Sequence, residues 1–304
     1  MKMQRMGIIG AGLLAGLLLL ATCGWESPEK RDISAVDPPV QPRFYGVPIP
    51  DSMVFMGDLV PLSQWHVRES LERELLVNAH FHSQTIRLIK LADRYFSIVD
   101  PILAEMGIPA DFRYLAVAES GLNPKALSPA GAAGFWQFMR AAASDYGLEV
   151  TAEVDERYHI EKSTRAAARY LSAAYLKYND WALVAAAYNA GRSALDRHMT
   201  RQKVNSYYDL LLAEETERYV FRILALKLIL ENPEAYGFFI AEADRYPKFK
   251  TRKVEVSATL ANLADFSIEQ GTNYKMLKYF NPWLRENVLT VRSGKTYIIE
   301  LPAE

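Results

Sequence analysis

Apolar residues return at helical spacing through most of this chain, and at alternate positions only near its end. From Ser63, the stretch "SQWHVRESLERELLVNAHFH" brings Val67, Leu71, Leu75 and Leu76 near one period of 3.6 residues. The next, "QTIRLIKLADRYFSIVDPILAEMG", does the same with Ile86, Ile89, Tyr95, Phe96 and Ile102, interrupted at Pro101. Further helices are predicted over "GFWQFMRAAASDYG", closing at Gly147, then "KSTRAAARYLSAAYLKY", "DWALVAAAYNAG" and "ETERYVFRILALKLILEN". Alanine-rich faces in two of these predict helices packed closely around a common core. The pattern breaks between about Asn232 and Thr251. Beyond it, residues 251–304 have strand-like ends around two amphipathic helical stretches, which predicts a small separate α+β module. The fold class is mainly α.

One helix carries an anomaly. If the segment from Asp111 is helical, Phe112, Leu115, Ala116 and Glu119 share a face, so that a carboxylate ends an apolar stripe. Gly121 supplies a stop and Pro124 follows shortly after, which puts Glu119 in the last turn. There the negative end of the helix dipole and the loss of water both disfavour the charged form and push the pKa upward. A carboxyl that keeps its proton near neutral pH can serve as a general acid. The plainer alternative is a glutamate at a helix edge, reaching out to solvent or to Arg113.

Composition narrows the classes. The 304 residues are half hydrophobic and carry a formal charge of -1, enough for one sizeable domain and a small appendage. Without an arginine-rich stripe or a glycine-rich phosphate loop, no nucleic-acid partner is predicted. His80 and His82, two residues apart, would face different sides of a helix and lack a matching ligand cluster, so no metal site is predicted. At the N-terminus Lys2 and Arg5 precede the apolar run "GIIGAGLLAGLLLLA", and residues 1–22 read as a signal peptide. The sole cysteine, Cys23, closes that run, and "LATCG", with Leu20 at the third position before it, resembles a bacterial lipobox. The expectation is a lipoprotein that begins at Cys23, held to a membrane by acyl chains. By analogy with bacterial lipoproteins, Gly24 in place of aspartate favours the outer membrane, with the protein facing the periplasm. Residues 23–60, rich in proline and charge, read as a tether whose later part can pack on the domain.

Three further segments carry candidate chemistry. In "GAAGFWQFM", Gly131 and Gly134 let the backbone come close to something, Phe135 and Trp136 offer flat faces, and Gln137 carries an amide. Aromatic faces with one amide suit a sugar-binding groove, although aromatics at helical spacing more often belong to a core. In "AAAYNAG", Tyr188 falls on a buried stripe with Val184 and Trp181, while Asn189 sits just before the stop near Gly191, where a helix-ending role is the simplest. In "ETERYV", Tyr219 comes one turn after Glu215, a spacing that also suits a helix-surface pair.

Taken in order, "ES", "GFWQFM", "AYNAG" and "ETxxYV" resemble the lytic transglycosylase domain of the lysozyme superfamily, in its membrane-bound murein transglycosylase D branch. The resemblance is strong over Asp111–Ala225 and weaker upstream through "FMGDLVPL". Downstream, the tail is similar to a degenerate LysM module, with "VSATLANLA" where the usual opening has glycine, aspartate and threonine ahead of a leucine. The resemblance implies a lysozyme-like catalytic domain at 111–240, a helical extension at 61–110 packed on it, and a LysM-like module at 251–304. It implies that Glu119 is the sole catalytic acid and base, with Ser120 beside it holding geometry. Gln137 and Asn189 would contact the sugar or its N-acetyl group, Tyr188 and Tyr219 would orient the glutamate or the acetamido group, and Phe135 and Met139 would shape the groove wall.

The implied reaction is cleavage of peptidoglycan strands by a monomer, with no cofactor and no metal. The bond cut joins N-acetylmuramic acid to N-acetylglucosamine, and the muramoyl C6 hydroxyl closes a 1,6-anhydro ring. Glycosidases that add water usually employ two carboxylates. Here Asp145, Asp155 and Glu156 are the other candidates, but "DYGL" closes a helix and "DER" reads as capping and pairing, which favours a single acid. The alternatives are a hydrolytic muramidase of the goose-lysozyme type and a non-catalytic peptidoglycan-binding lipoprotein.

Overall fold

The structure, a computed structural model, describes residues 46–303. Cys23, the signal peptide and the first part of the tether lie outside the described residues. The chain enters through a short antiparallel hairpin, β1 (Val54–Phe55) and β2 (Asp58–Leu59). Met53, Phe55, Met56 and Val60 are buried in the main core, so the end of the predicted tether belongs to the folded body. Asp111 fastens it there, its Oδ2 accepting the Met56 N–H at 2.9 Å.

Three helices follow: α1 (Trp65–His80), α2 (His82–Glu105) and α3 (Phe112–Ser120). Two details differ from the sequence reading. α2 runs through Pro101, which lies on its exposed side, where the missing N–H bond is the least costly. His80 and His82 do not share a helix; α1 stops at His80, Phe81 turns the chain, and the two imidazoles come 6.2 Å apart. On α1 the inward position next to Leu75 is taken by Glu74, and Leu76 faces out.

The stretch from Gly134 is a tight turn and not the start of a helix. Ala133 bridges to both Leu127 and Phe138, and α4 is confined to Arg140–Asp145. The backbone dictates this. Gly134 has φ +78, and a Cβ there would lie 1.8 Å from the Arg157 carbonyl oxygen, so only glycine fits. Arg157 pins the turn from behind: it pairs with Asp155 at 2.7 Å and donates to the carbonyls of Gly131 (2.8 Å) and Phe138 (3.1 Å), with both charged partners buried.

Then come α5 (Ile160–Tyr178), α6 (Trp181–Ala190), α7 (Arg192–Gln202) and α8 (Glu214–Glu231). Ala166, Ala167 and Ala174 on α5 and Ala185, Ala186 and Ala187 on α6 are fully buried, and their small side chains let the two helices pack closely, as their alanine faces predict. Asp180 caps α6, accepting the Leu183 N–H at 2.8 Å. α8 is the central element and packs against α1, α3 and α6.

The tail folds as β3 (Thr251–Val256), α9 (Leu263–Glu269), α10 (Tyr274–Phe280) and β4 (Tyr297–Pro302), with β3 and β4 antiparallel from Thr251↔Pro302 to Val256↔Tyr297. It is less separate than its sequence suggests. Its core of Leu263, Leu277, Trp283, Ile299 and Leu301 also takes in Ala133, Val154 and Tyr158 from the helical part. Backbone bonds cross the same joint, from Asp155 N–H to the Trp283 carbonyl (2.9 Å) and from Arg285 N–H to the Glu153 carbonyl (2.7 Å).

Candidate active site

Glu119 stands in the last turn of α3, on the face whose other members, Phe112, Leu115 and Ala116, are completely buried. Gly121 ends the helix in the left-handed conformation at φ 58, its N–H returning to the Val117 carbonyl at 2.9 Å. The half-buried carboxylate does not meet Arg113, which pairs with Asp100 at 2.8 Å. Its partner is the Tyr219 hydroxyl, which donates to Glu119 Oε1. Tyr219 is 2% exposed and comes from α8, so the predicted spacing to Glu215 on the helix surface is not the contact it makes.

Burial lifts the Glu119 pKa from 4.5 to about 7. The Tyr219 hydrogen bond and the charge of Arg222 act in the opposite direction, and the charge of Glu215 adds a small push upward. A carboxyl so placed exchanges its proton near neutral pH, the condition under which one group can act first as acid and then as base.

A chain of hydrogen bonds ties the neighbouring segments together. One turn before Tyr219, Thr216 donates through Oγ1 to Asn189 Oδ1 at 2.8 Å. Next to Asn189, the Tyr188 hydroxyl donates to the Trp136 carbonyl at 2.7 Å, which fastens the end of α6 to the turn that carries Gln137. The pKa of Tyr188 is pushed far up, first by burial and then by the charge of Glu119, which places the two side chains within electrostatic reach.

Comparison with known proteins matches residues 103–210 to the transglycosylase SLT domain family, and residues 252–304 to the C-terminal LysM-like domain of soluble lytic transglycosylases. The chain is 28% identical over 257 residues to membrane-bound lytic murein transglycosylase D of Escherichia coli K12, a match covering 82% of this chain and 55% of that protein. The chain thus spans about half the length of the curated relatives it matches. Solved structures similar to it include the 70 kDa soluble lytic transglycosylase SLT70 of Escherichia coli, at 20% identity, covering 51% of this chain and 27% of that one, with a TM-score of 0.41. Another is an inactive mutant of the lytic transglycosylase Slt of Pseudomonas aeruginosa, at 19% identity, 60% and 35% coverage, and a TM-score of 0.38.

The SLT domain match ends at residue 210, so Thr216 and Tyr219 reach Glu119 and Asn189 from beyond it. Within the matched stretch, Gln137 sits at φ 49 with its Nε2 donating to the Gly134 carbonyl at 2.8 Å, which steadies the turn. Ser120 bonds back to its own helix at the Ala116 carbonyl, 3.0 Å away. Phe135 and Trp136 do not present open faces. Both are fully buried; Phe135 packs on Tyr95, and Trp136 donates through Nε1 to Thr164 at 2.8 Å. Met139, at the N-terminus of α4, is 48% exposed. Thr216 and Arg222 went unnoticed in the sequence, although both lie within one turn of Tyr219, on the helix stretch that brings it to Glu119. No group of three or more His, Cys, Asp or Glu side chains among the described residues could hold a metal ion.

Proposed function

We propose that the chain is a peptidoglycan lytic transglycosylase, which cuts the β-1,4 bond between N-acetylmuramic acid and N-acetylglucosamine and leaves 1,6-anhydromuramoyl ends. The observation that carries this reading is Glu119 itself: a half-buried carboxyl with its pKa near 7, held by one phenol. The other carboxylates considered have other engagements. Asp155 is spent on Arg157, Glu156 on Lys162, and Glu215 on Arg222 at 3.0 Å, while Asp145 is exposed at the end of α4. That distribution supports one acid working twice over a pair of carboxylates activating water.

In this mechanism protonated Glu119 gives its proton to the glycosidic oxygen as the bond to the muramoyl anomeric carbon breaks. The substrate's acetamido group stabilises the cationic centre. The Glu119 carboxylate, now favoured by the Tyr219 O–H and the Arg222 charge, takes the proton of the C6 hydroxyl, whose oxygen closes the ring on the anomeric carbon. No water is consumed, and the intramolecular nucleophile supplies the proximity advantage. The partner is the glycan strand, the acting form a monomer, and Ser120, Gln137, Met139, Tyr188 and Asn189 keep the positioning and groove roles implied by the resemblance.

The Escherichia coli relative is membrane-bound by name, which supports placing this chain in the cell envelope. The finer proposal is an outer-membrane lipoprotein, anchored through Cys23 and facing the periplasm. No helix among the described residues is long and apolar enough to cross a membrane. Mass spectrometry of products from purified sacculi tests the chemistry. Anhydro ends support it, reducing ends make the protein a hydrolytic muramidase, and intact sacculi with bound protein make it a wall-binding lipoprotein.

A further inference from the structure

A hollow of about 1200 Å³ lies where the tail meets the helices. α2 and the start of α5 form one wall, the segment entering β3 and the turn after α10 form the other, and the loop from Leu122 to Lys125 runs along it. Eight cationic side chains line it against three carboxylates, in a chain whose overall formal charge is -1. The carboxylates are all engaged. Glu105 pairs with Arg165 at 2.7 Å, Glu161 reaches across to Lys253 at 2.9 Å, and Glu300 accepts from the Thr251 hydroxyl.

Lys162 is tied to Glu156, which leaves five cations without a carboxylate partner among the described residues: Arg87, Arg94, Lys125, Lys248 and Lys250. Aromatic rings and carbonyls support three of them. The Arg94 guanidinium lies 3.9 Å from the centre of the Phe249 ring and the Lys125 ammonium 5.4 Å from that of Tyr279, while Arg87 donates to the Gly121 carbonyl at 3.1 Å. Lys248 and Lys250 are exposed. Like charges gathered in a walled hollow repel one another and focus a positive potential that an anionic ligand relieves.

The geometry points to a binding site in this hollow for a peptide bearing several carboxylates. The volume exceeds the roughly 300–1000 Å³ of ordinary small-molecule pockets. The unpaired cations are distributed along both walls between aromatic faces, an arrangement that suits an extended chain with spaced carboxylates better than a single phosphate, which needs donors converging on one point. The lining loop begins three residues after Glu119, so an occupant touches the segment that leaves the catalytic helix. That the natural source of such a peptide is the acidic stem of the glycan being cut rests on the function proposed above.

Calorimetric titration of the full chain in mild detergent, carrying Glu119→Gln so that nothing turns over, tests the site. The probes are a synthetic peptide with free carboxylates, the same peptide fully amidated, and inorganic phosphate. The free peptide should bind, with affinity falling as salt rises, and amidation should weaken it at least about tenfold. Lys248→Glu combined with Lys250→Glu on one wall, and Lys125→Glu separately on the loop, should each weaken it by a similar factor. Equal binding of the amidated peptide, an unaffected double variant, or displacement by phosphate at matching concentration overturns the proposal. Because binding is read without turnover, these outcomes are independent of whether sacculi yield anhydro products.

Discussion

Two glutamates pack against the same stretch of α8 and meet different partners. Glu74, from α1, is 1% exposed and faces guanidinium groups: Arg218 Nε lies 2.6 Å from one oxygen and Arg222 Nε 3.7 Å from the other. Glu119, from α3, faces the Tyr219 phenol of the same helix. A guanidinium stabilises a carboxylate as an ion pair, which suits a structural joint. A phenol offers one hydrogen bond and no charge, so burial governs and the proton is held to about pH 7. One helix thus supplies guanidinium partners to one buried carboxylate and a phenol to another, by the choice of residue along two adjacent turns.

The sharpest way to break this comparison is to remove each carboxylate's charge. Glu119→Gln should lower turnover of sacculi on the order of 10³-fold while leaving sacculus binding largely intact. Its effect on stability has a definite sign. The folded chain holds the Glu119 proton up to about pH 7 and the unfolded chain releases it near 4.5, so stability attached to this group is fully present below 4.5 and drains away as pH rises through 7. The difference amounts to roughly 3 kcal/mol. The Gln variant, which has nothing to ionise, should therefore be more stable than the parent by up to about that much at pH 8 and equal to it at pH 4, as measured by denaturant unfolding.

Glu74→Gln should do the reverse. Removing the buried anion that Arg218 and Arg222 share, which leaves them only the exposed Glu214 and Glu215, should cost about 3 kcal/mol of stability, with turnover per folded molecule changed only a few-fold. A collapse of turnover at full stability would show that Glu74 belongs to the chemistry after all. Tyr219→Phe sharpens the other half. It removes a hydrogen bond that favours the carboxylate form, so the alkaline limb of the kcat/KM profile should move to higher pH and kcat should fall on the order of tenfold. Arg222→Gln should move that limb the same way by less, since its charge acts on Glu119 only through space.

The same stripe argument that exposes Glu119 also applies to Glu74, which follows Val67 and Leu71 at i+7 and i+3. Its burial is legible in that spacing, whereas Leu76, two residues on, faces solvent. The helices α5, α6 and α8, the strand-like ends of the tail and the stop at Gly121 follow from local pattern, whereas α7, polar along most of its length, does not announce itself. The turn over Gly134–Phe138 does not, because an apolar run with helical spacing is indistinguishable from a helix until the long-range demand appears. That demand is the Arg157 carbonyl occupying the space of a Cβ at Gly134. The burial of Phe135 and Trp136 has the same origin, since the turn sends both rings inward against α2 and α5. Nor could spacing reveal that Tyr219 meets Glu119, a contact across 100 residues.

The strip of backbone pairing at Val154 and Leu284, with hydrophobic residues from both sides closing over it, removes the hinge that a tail of this kind would otherwise possess. The last fifty residues therefore form one body with the helical part, and anything bound to them would lie at one set distance from Glu119.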